Sequence, residues 1–152
     1  MAGARRSTTR AGRPRPAKRR ARPAPRPTEA EARLLALARE LDRLPLESAL
    51  HALATAHGPA APLPRAVFQV WLRSRGDKTA ALALAWAREQ LRLALRDALA
   101  RTPTGGAARR HLDDDALAWI LLAVAESLAH EPPAAVADRL RAILALAVPT
   151  GT

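Results

Sequence analysis

The stretch that most constrains the fold of this chain is residues 111–130, HLDDDALAWILLAVAESLAH. No charge occurs between Asp115 and Glu126, a run that is too short to cross a bilayer as a helix and too apolar to lie on a protein surface. At about 100° per residue, one stripe of this helix is predicted to face the chain's own core. Its members are Leu117, Ile120, Leu121, Val124 and Leu128.

The opposite side of the same helix is also apolar. Trp119 and Leu122 project there among small alanines, and Glu126 lies on the same side. Leaving a Trp and a Leu in water forfeits about 3–6 kcal/mol of burial, so we expect a second surface to cover them. An isologous contact between the last two helices of two subunits, forming a four-helix interface, is one solution. The alternative is that another helix of the same chain covers this side, either the first helix (about Glu29–Arg43) or the long fourth helix after Asp77.

The predicted homodimer interface draws on both of these last helices. Its residues are Trp119, Leu122, Glu126, Leu140, Ile143 and Leu144. For Glu126, pairing with an arginine at the edge of the interface and contact with a cationic ligand are both open.

Helical spacing and capping signals account for the rest of the chain. Thr28 and Glu31 fit a capping box that starts a helix over about Glu29–Arg43, and Pro45 suits the first position of a second helix. The linker GPAAPLP precedes a short third helix, RAVFQVWLRSRG, and Asp77 can cap a long fourth helix. A sixth helix follows Pro132 and Pro133, after the helix described above.

The fourth helix carries two apolar stripes, one around Leu91 and Leu95 and another with Leu82, Trp86 and Leu93, which predicts neighbours on two sides. No segment alternates with period two over the length of a strand. The sequence therefore predicts an all-α fold of about six helices in an orthogonal or antiparallel bundle.

The positive charge is concentrated at one end. Of the 25 Lys and Arg residues, ten lie in residues 1–27, which contain no acid, so the remainder holds fifteen basic and fourteen acidic residues. Five prolines and almost no large apolar residue predict that 1–27 is a disordered basic arm, followed by a helical domain over 28–152. Only the arm has an electrostatic attraction to phosphate.

Within the arm, TRAGRPRPAKRR resembles an AT-hook, whose Gly-Arg-Pro core lies extended in a narrow A/T minor groove. The candidate DNA-contacting residues are Gly12, Arg13, Pro14, Arg15, Lys18, Arg19 and Arg20. The alternative is a solvated basic tail that binds any polyanion with a strong dependence on salt.

Several classes of site are not expected. The chain has no cysteine, and its four histidines lack the short spacings of metal-binding helices, so neither a metal nor another cofactor is predicted. Acids, histidines and serines show no pairing typical of acid–base or nucleophilic catalysis, which predicts a protein that is not an enzyme. The basic, proline-rich start lacks the apolar region of a secretory signal, so we expect a cytoplasmic protein without membrane contact.

The order WAREQLRLALRDALARTPTGG, HLDDDALAWILLAVAESLAHEPP and VADRLRAILALA resembles the C-terminal regulatory domain of TetR/AcrR-type transcription regulators. The resemblance runs from about Thr28 to Val148, and it implies dimerisation through the last two helices. It also implies a pocket for a small apolar effector among helices two to four, lined by Phe68, Trp71 and Trp86. These aromatics could instead be plain core. The chain departs from the family in lacking a recognisable helix-turn-helix.

Two functions are consistent with these patterns. The first is a dimeric regulator that binds an apolar effector in its helical domain and contacts DNA, if at all, through the arm. The second is a nucleoid-associated or accessory protein that binds DNA non-specifically and uses the helical body only as a dimerisation scaffold. A third possibility is a truncated relative with no role of its own.

Overall fold

The computed structural model describes residues 26–103 and 111–148, and the described chain folds into an all-α bundle. The predicted fold class is therefore confirmed. The six helices are α1 (Glu29–Leu41), α2 (Leu46–Ala56), α3 (Pro62–Ser74), α4 (Lys78–Arg101), α5 (Asp114–Ser127) and α6 (Val136–Ala147). Two 3₁₀ turns, Leu128–His130 and Pro133–Ala135, join the last two helices. None of the helices in the described ranges has the length and apolar character needed to cross a membrane.

Helix starts follow local side-chain chemistry. Thr28 and Glu31 form the predicted capping box, in which the Glu31 backbone N–H donates to Thr28 Oγ1 (3.3 Å) and the Thr28 N–H donates to the Glu31 carboxylate (2.9 Å). Asp77 accepts from the backbone N–H groups of Thr79 and Ala80 at the start of α4. Asp113 accepts from Ala116 at the start of α5. Each carboxylate or hydroxyl satisfies N–H groups that have no partner within the helix.

Two prolines lie at positions relative to helix starts that differ from the predicted ones. The third helix begins at Pro62, inside the segment predicted to be a linker, because proline needs no N–H partner in a first turn. Pro45 lies one residue before α2 instead of at its first position.

The core is centred on α4, which packs against α1, α3 and α5. Its predicted inner stripe is buried, including Leu91, Leu95 and Leu99. The prediction of a second buried stripe was wrong, because Leu82 is 71% exposed and Trp86 is 56% exposed. Both belong to a face of α4 that its neighbours leave open.

Helix α5 packs mainly against α4. Leu117, Leu121 and Leu128 of its predicted inner stripe are fully buried. Leu122 was predicted to face away from the core, and this was wrong, since it is only 1% exposed. Helix α6 packs more against α2 than against α5, so the two last helices share little surface within the chain.

Candidate functional site

A cleft of about 1180 Å³ lies between α3, α4 and α5, with the end of α2 at its side. Leu34 of α1 and Leu84 of α4 contribute apolar side chains from the core. This volume is slightly above the range typical of small-molecule sites.

Three aromatic side chains line the cleft without being buried. Phe68, Trp71 and Trp119 are 57%, 45% and 57% exposed. On α3 the rings of Phe68 and Trp71 stack, with centroids 5.9 Å apart and planes inclined by 24°. Trp119 comes from α5, so aromatic surface is present on two helices that border the same cleft. Large exposed aromatic surface gathered in one concavity is typical of a binding site.

An ion pair joins α4 and α5 in the wall of the cleft. Arg88 Nε donates to Glu126 Oε1 at 2.6 Å and Arg88 Nη2 donates to Oε2 at 2.7 Å, a bidentate arrangement. Hydrogen bonding to the Glu126 carboxylate, opposed by partial burial, raises the pKa of Arg88. Of the two alternatives for Glu126, the structure shows pairing with an arginine, Arg88 of the same chain. That this pair lies at the edge of a subunit interface stays a prediction.

We expect the Arg88–Glu126 pair to couple the two helices by about 1 kcal/mol, below the value of a fully buried charge-assisted pair. The reason for the reduction is exposure, since the two side chains are 42% and 32% exposed. A double-mutant cycle with Arg88→Ala and Glu126→Gln, followed by urea unfolding, measures this coupling. The matched control is Asp138–Arg141 on α6, a pair in which both side chains are largely exposed. A coupling no larger than that of the control would contradict the expectation.

The other arginines that line the cleft differ in whether they have a carboxylate partner. Arg92 donates two hydrogen bonds to Glu89 and one, at 2.5 Å, to Asp115 of α5, and these bonds raise the pKa of Arg92. Arg75 lies over the ring of Trp71, 4.6 Å from its centroid. Together with Arg65, it lines the cleft without a carboxylate partner among the described residues.

His57 follows α2 and lines the same cleft, with only 4% of its surface exposed. Burial lowers the pKa of His57, and the Arg88 charge acts in the same direction. The hydrogen bond to Leu53 and the charge of Glu126 oppose this shift without reversing it. The imidazole is therefore neutral at neutral pH.

This shift predicts a pH-dependent loss of stability. The unfolded chain takes up the His57 proton near its ordinary pKa of 6.5, above the lowered pKa of the folded state. The contribution of His57 to the free energy of unfolding is therefore fully present above the pKa of the unfolded chain. It is lost as the pH falls through that value toward the lower pKa of the folded state. Urea unfolding between about pH 8 and about pH 5 should show a smaller loss for His57→Gln than for the natural chain.

The control for this titration is His51→Gln, since His51 is exposed on α2, the helix that His57 follows. His51→Gln should lose stability on acidification as the natural chain does. Identical pH profiles for the natural chain and His57→Gln would contradict the expectation.

The structure places the predicted interface residues in two groups. Trp119, Leu122 and Glu126 line the cleft, beside α3 and α4. On α6, Ile143 is buried within the chain at 2% exposure, and Leu140 and Leu144 are half-buried against the core. The homodimer stays a prediction.

Of the three predicted pocket residues, Phe68 and Trp71 line the cleft. Trp86 does not, and its prediction as a lining residue was wrong because it lies on the open face of α4. Sequence reasoning missed His57 and Arg88. His57 directly follows α2 and Arg88 lies on α4, and only the packing of α2, α4 and α5 brings them to one cleft.

The predicted DNA-contacting residues Gly12, Arg13, Pro14, Arg15, Lys18, Arg19 and Arg20 lie outside the described residues. Within the described ranges, no three His, Asp or Glu side chains group closely enough to hold a metal ion.

The resemblance to TetR/AcrR-type regulators rests on the spacing of leucines and alanines alone. Comparison of the whole chain with protein-family models, curated proteins and solved structures finds no match.

Proposed function

We propose that this protein is a small helical binding protein of the regulator type, and that its cleft takes a small apolar molecule as an effector. One observation carries the proposal, the gathering of Phe68, Trp71 and Trp119 around one cleft between α3, α4 and α5. Fully covering a large apolar side chain on binding contributes about 1.5–3 kcal/mol. An apolar ligand that covers these rings therefore gains binding free energy in this cleft. The proposal assigns the protein no catalytic activity.

Mutation of the aromatic wall tests the proposal. The full chain is screened by thermal unfolding against a panel of hydrophobic compounds, in which a ligand raises the melting temperature. For a compound that binds, Trp71→Ala should weaken affinity about tenfold or more because it removes a large contact surface. Trp86→Ala is the matched control, since Trp86 is similarly exposed but lies outside the cleft. Equal effects of both substitutions, or no shift with any compound, would argue against the proposal.

As part of the same proposal, the protein is a homodimer through its last two helices. The half-buried side chains of α6 and the exposed ring of Trp119 support this. Light scattering across a concentration series tests the oligomeric state. If Trp119 belongs to the interface, Trp119→Ala shifts the chain toward monomer; if it serves only the cleft, this substitution weakens ligand binding and leaves the mass unchanged.

The second candidate is a nucleoid-associated or accessory protein that binds DNA without sequence preference. The observation in its favour is the charge distribution, with ten basic residues and no acid in residues 1–27. In this case the helical body is a dimerisation scaffold for two arms. Binding to unrelated duplexes that fades with salt, with no response to hydrophobic compounds, favours the second candidate over the first.

A further inference from the structure

Among the described residues, two polar side chains that line the cleft are buried, Ser74 and His57. The Ser74 hydroxyl donates to the backbone carbonyl of Trp71, whereas His57 has a second ring nitrogen besides the one that is bonded. Its Nδ1 lies 3.0 Å from the carbonyl oxygen of Leu53, one turn earlier in α2. Because a carbonyl oxygen only accepts, Nδ1 carries the hydrogen, and the neutral ring presents Nε2 as an acceptor. No described residue donates to this nitrogen.

The neighbouring charges do not satisfy His57. The charges of Arg88 on α4 and Glu126 on α5 both act on His57, but these two side chains are bonded to each other through two hydrogen bonds. Most of the surrounding lining is apolar or aromatic, including Leu34, Leu122 and the rings of α3. A buried acceptor without a donor lowers the stability of the fold, and native structures seldom contain one.

We propose that His57 Nε2 anchors the ligand of the cleft, and that this ligand is an apolar molecule with one hydrogen-bond donor, such as a phenol or another apolar alcohol. The inference rests on the proposed effector-binding function. A hydroxyl donates its hydrogen to Nε2 while the apolar body covers Phe68 and Trp71. An ether offers only acceptors, and a carboxylate places negative charge against a nitrogen lone pair, so neither replaces the alcohol.

Three probes with the same ring body separate these cases. They are 2-naphthol, which donates, 2-methoxynaphthalene, which only accepts, and 2-naphthoate, which is an anion. Affinities are measured for the full-length protein by calorimetry slightly above neutral pH. We expect 2-naphthol to bind about tenfold more tightly than either of the others, the gain of one well-placed hydrogen bond in an apolar site.

Variants assign this preference to His57. In His57→Leu the advantage of 2-naphthol should disappear, whereas His57→Gln, which retains an acceptor oxygen, should keep most of it. His51→Leu is the matched control, because His51 is an exposed residue of α2, the helix that His57 follows. This substitution should leave all three affinities unchanged. Thermal unfolding of each variant reports whether it is folded, and the comparison of probes on the natural chain does not depend on any variant.

The outcomes distinguish the two proposals. Equal affinities of 2-naphthol and 2-methoxynaphthalene, or tighter binding of 2-naphthoate, overturn the role of His57 but leave an apolar cleft that binds ligands. Persistence of the 2-naphthol advantage in His57→Leu overturns it as well. Binding of none of the three probes overturns the proposed function itself.

Discussion

Replacement of Leu95 by alanine should lower the free energy of unfolding by about 3–5 kcal/mol. Leu95 lies on α4, the helix that contacts α1, α2, α3 and α5, and its side chain is fully buried. The substitution removes three side-chain carbons from the core and leaves a cavity that the surrounding helices fill only in part. This is a large share of the 5–15 kcal/mol typical of a folded domain, and urea unfolding at matched protein concentrations measures it.

The same helix provides the control. Leu82 occupies an earlier turn of α4 and is 71% exposed, so Leu82→Ala should change stability by no more than about 0.5 kcal/mol. The two substitutions delete the same atoms, and only burial differs. Comparable losses for both would mean that α4 has a different orientation in the bundle from the one described.

Neutralising four arginines of the basic arm should have the largest effect on any DNA binding. If all ten basic residues of 1–27 contact phosphates, the slope of log affinity against log salt concentration approaches about −9, so affinity falls by about five orders of magnitude between about 50 and 200 mM salt. A full-length variant with Arg13, Arg15, Arg19 and Arg20 replaced by glutamine should have a slope shallower by about 3.6. Fluorescence anisotropy with a labelled duplex across a salt series measures both values.

The matched control neutralises four basic residues of the helical body that are exposed and have no carboxylate partner among the described residues. These are Arg39, Arg43, Arg73 and Lys78. This variant should keep the original slope. A slope that falls equally in the control would place the DNA contact on the helical body and contradict the assignment to the arm. Affinities for an A/T-rich and a G/C-rich duplex separate the two forms of arm. A minor-groove binder prefers the A/T-rich duplex, whereas a general polyanion-binding tail binds both equally.

Much of the helical framework was predictable because its signals are local. The capping box of Thr28 and Glu31 and the aspartates at 77 and 113 act within one turn of their own helix. A periodic stripe such as Leu117, Leu121 and Leu128 needs only the helix geometry to be read as core. The boundary of α3 was harder, since prolines are compatible with both a linker and a first helical turn.

The cleft was only partly predictable. Phe68 and Trp71 could be recognised as large aromatics on a short helix, but Trp86 has the same character and lies elsewhere. Trp119 was predicted to meet another subunit, which stays a prediction, and within the chain it lines the cleft. A helical projection gives the direction of a side chain around its own axis, and it does not say which neighbour stands on that side.

The sequence by itself determined the six helices of the described ranges, the capped starts of α1, α4 and α5, most of the buried stripes and the unequal charge of residues 1–27 and 28–152. These properties depend on side chains within a few residues of each other. Only the tertiary structure decided that Leu122 is buried, that Arg88 reaches Glu126 across 38 positions, and that His57 lies in the same cleft as Trp71. The physical reason is that burial and pairing between distant residues depend on how helices pack, and several packings satisfy the same apolar stripes.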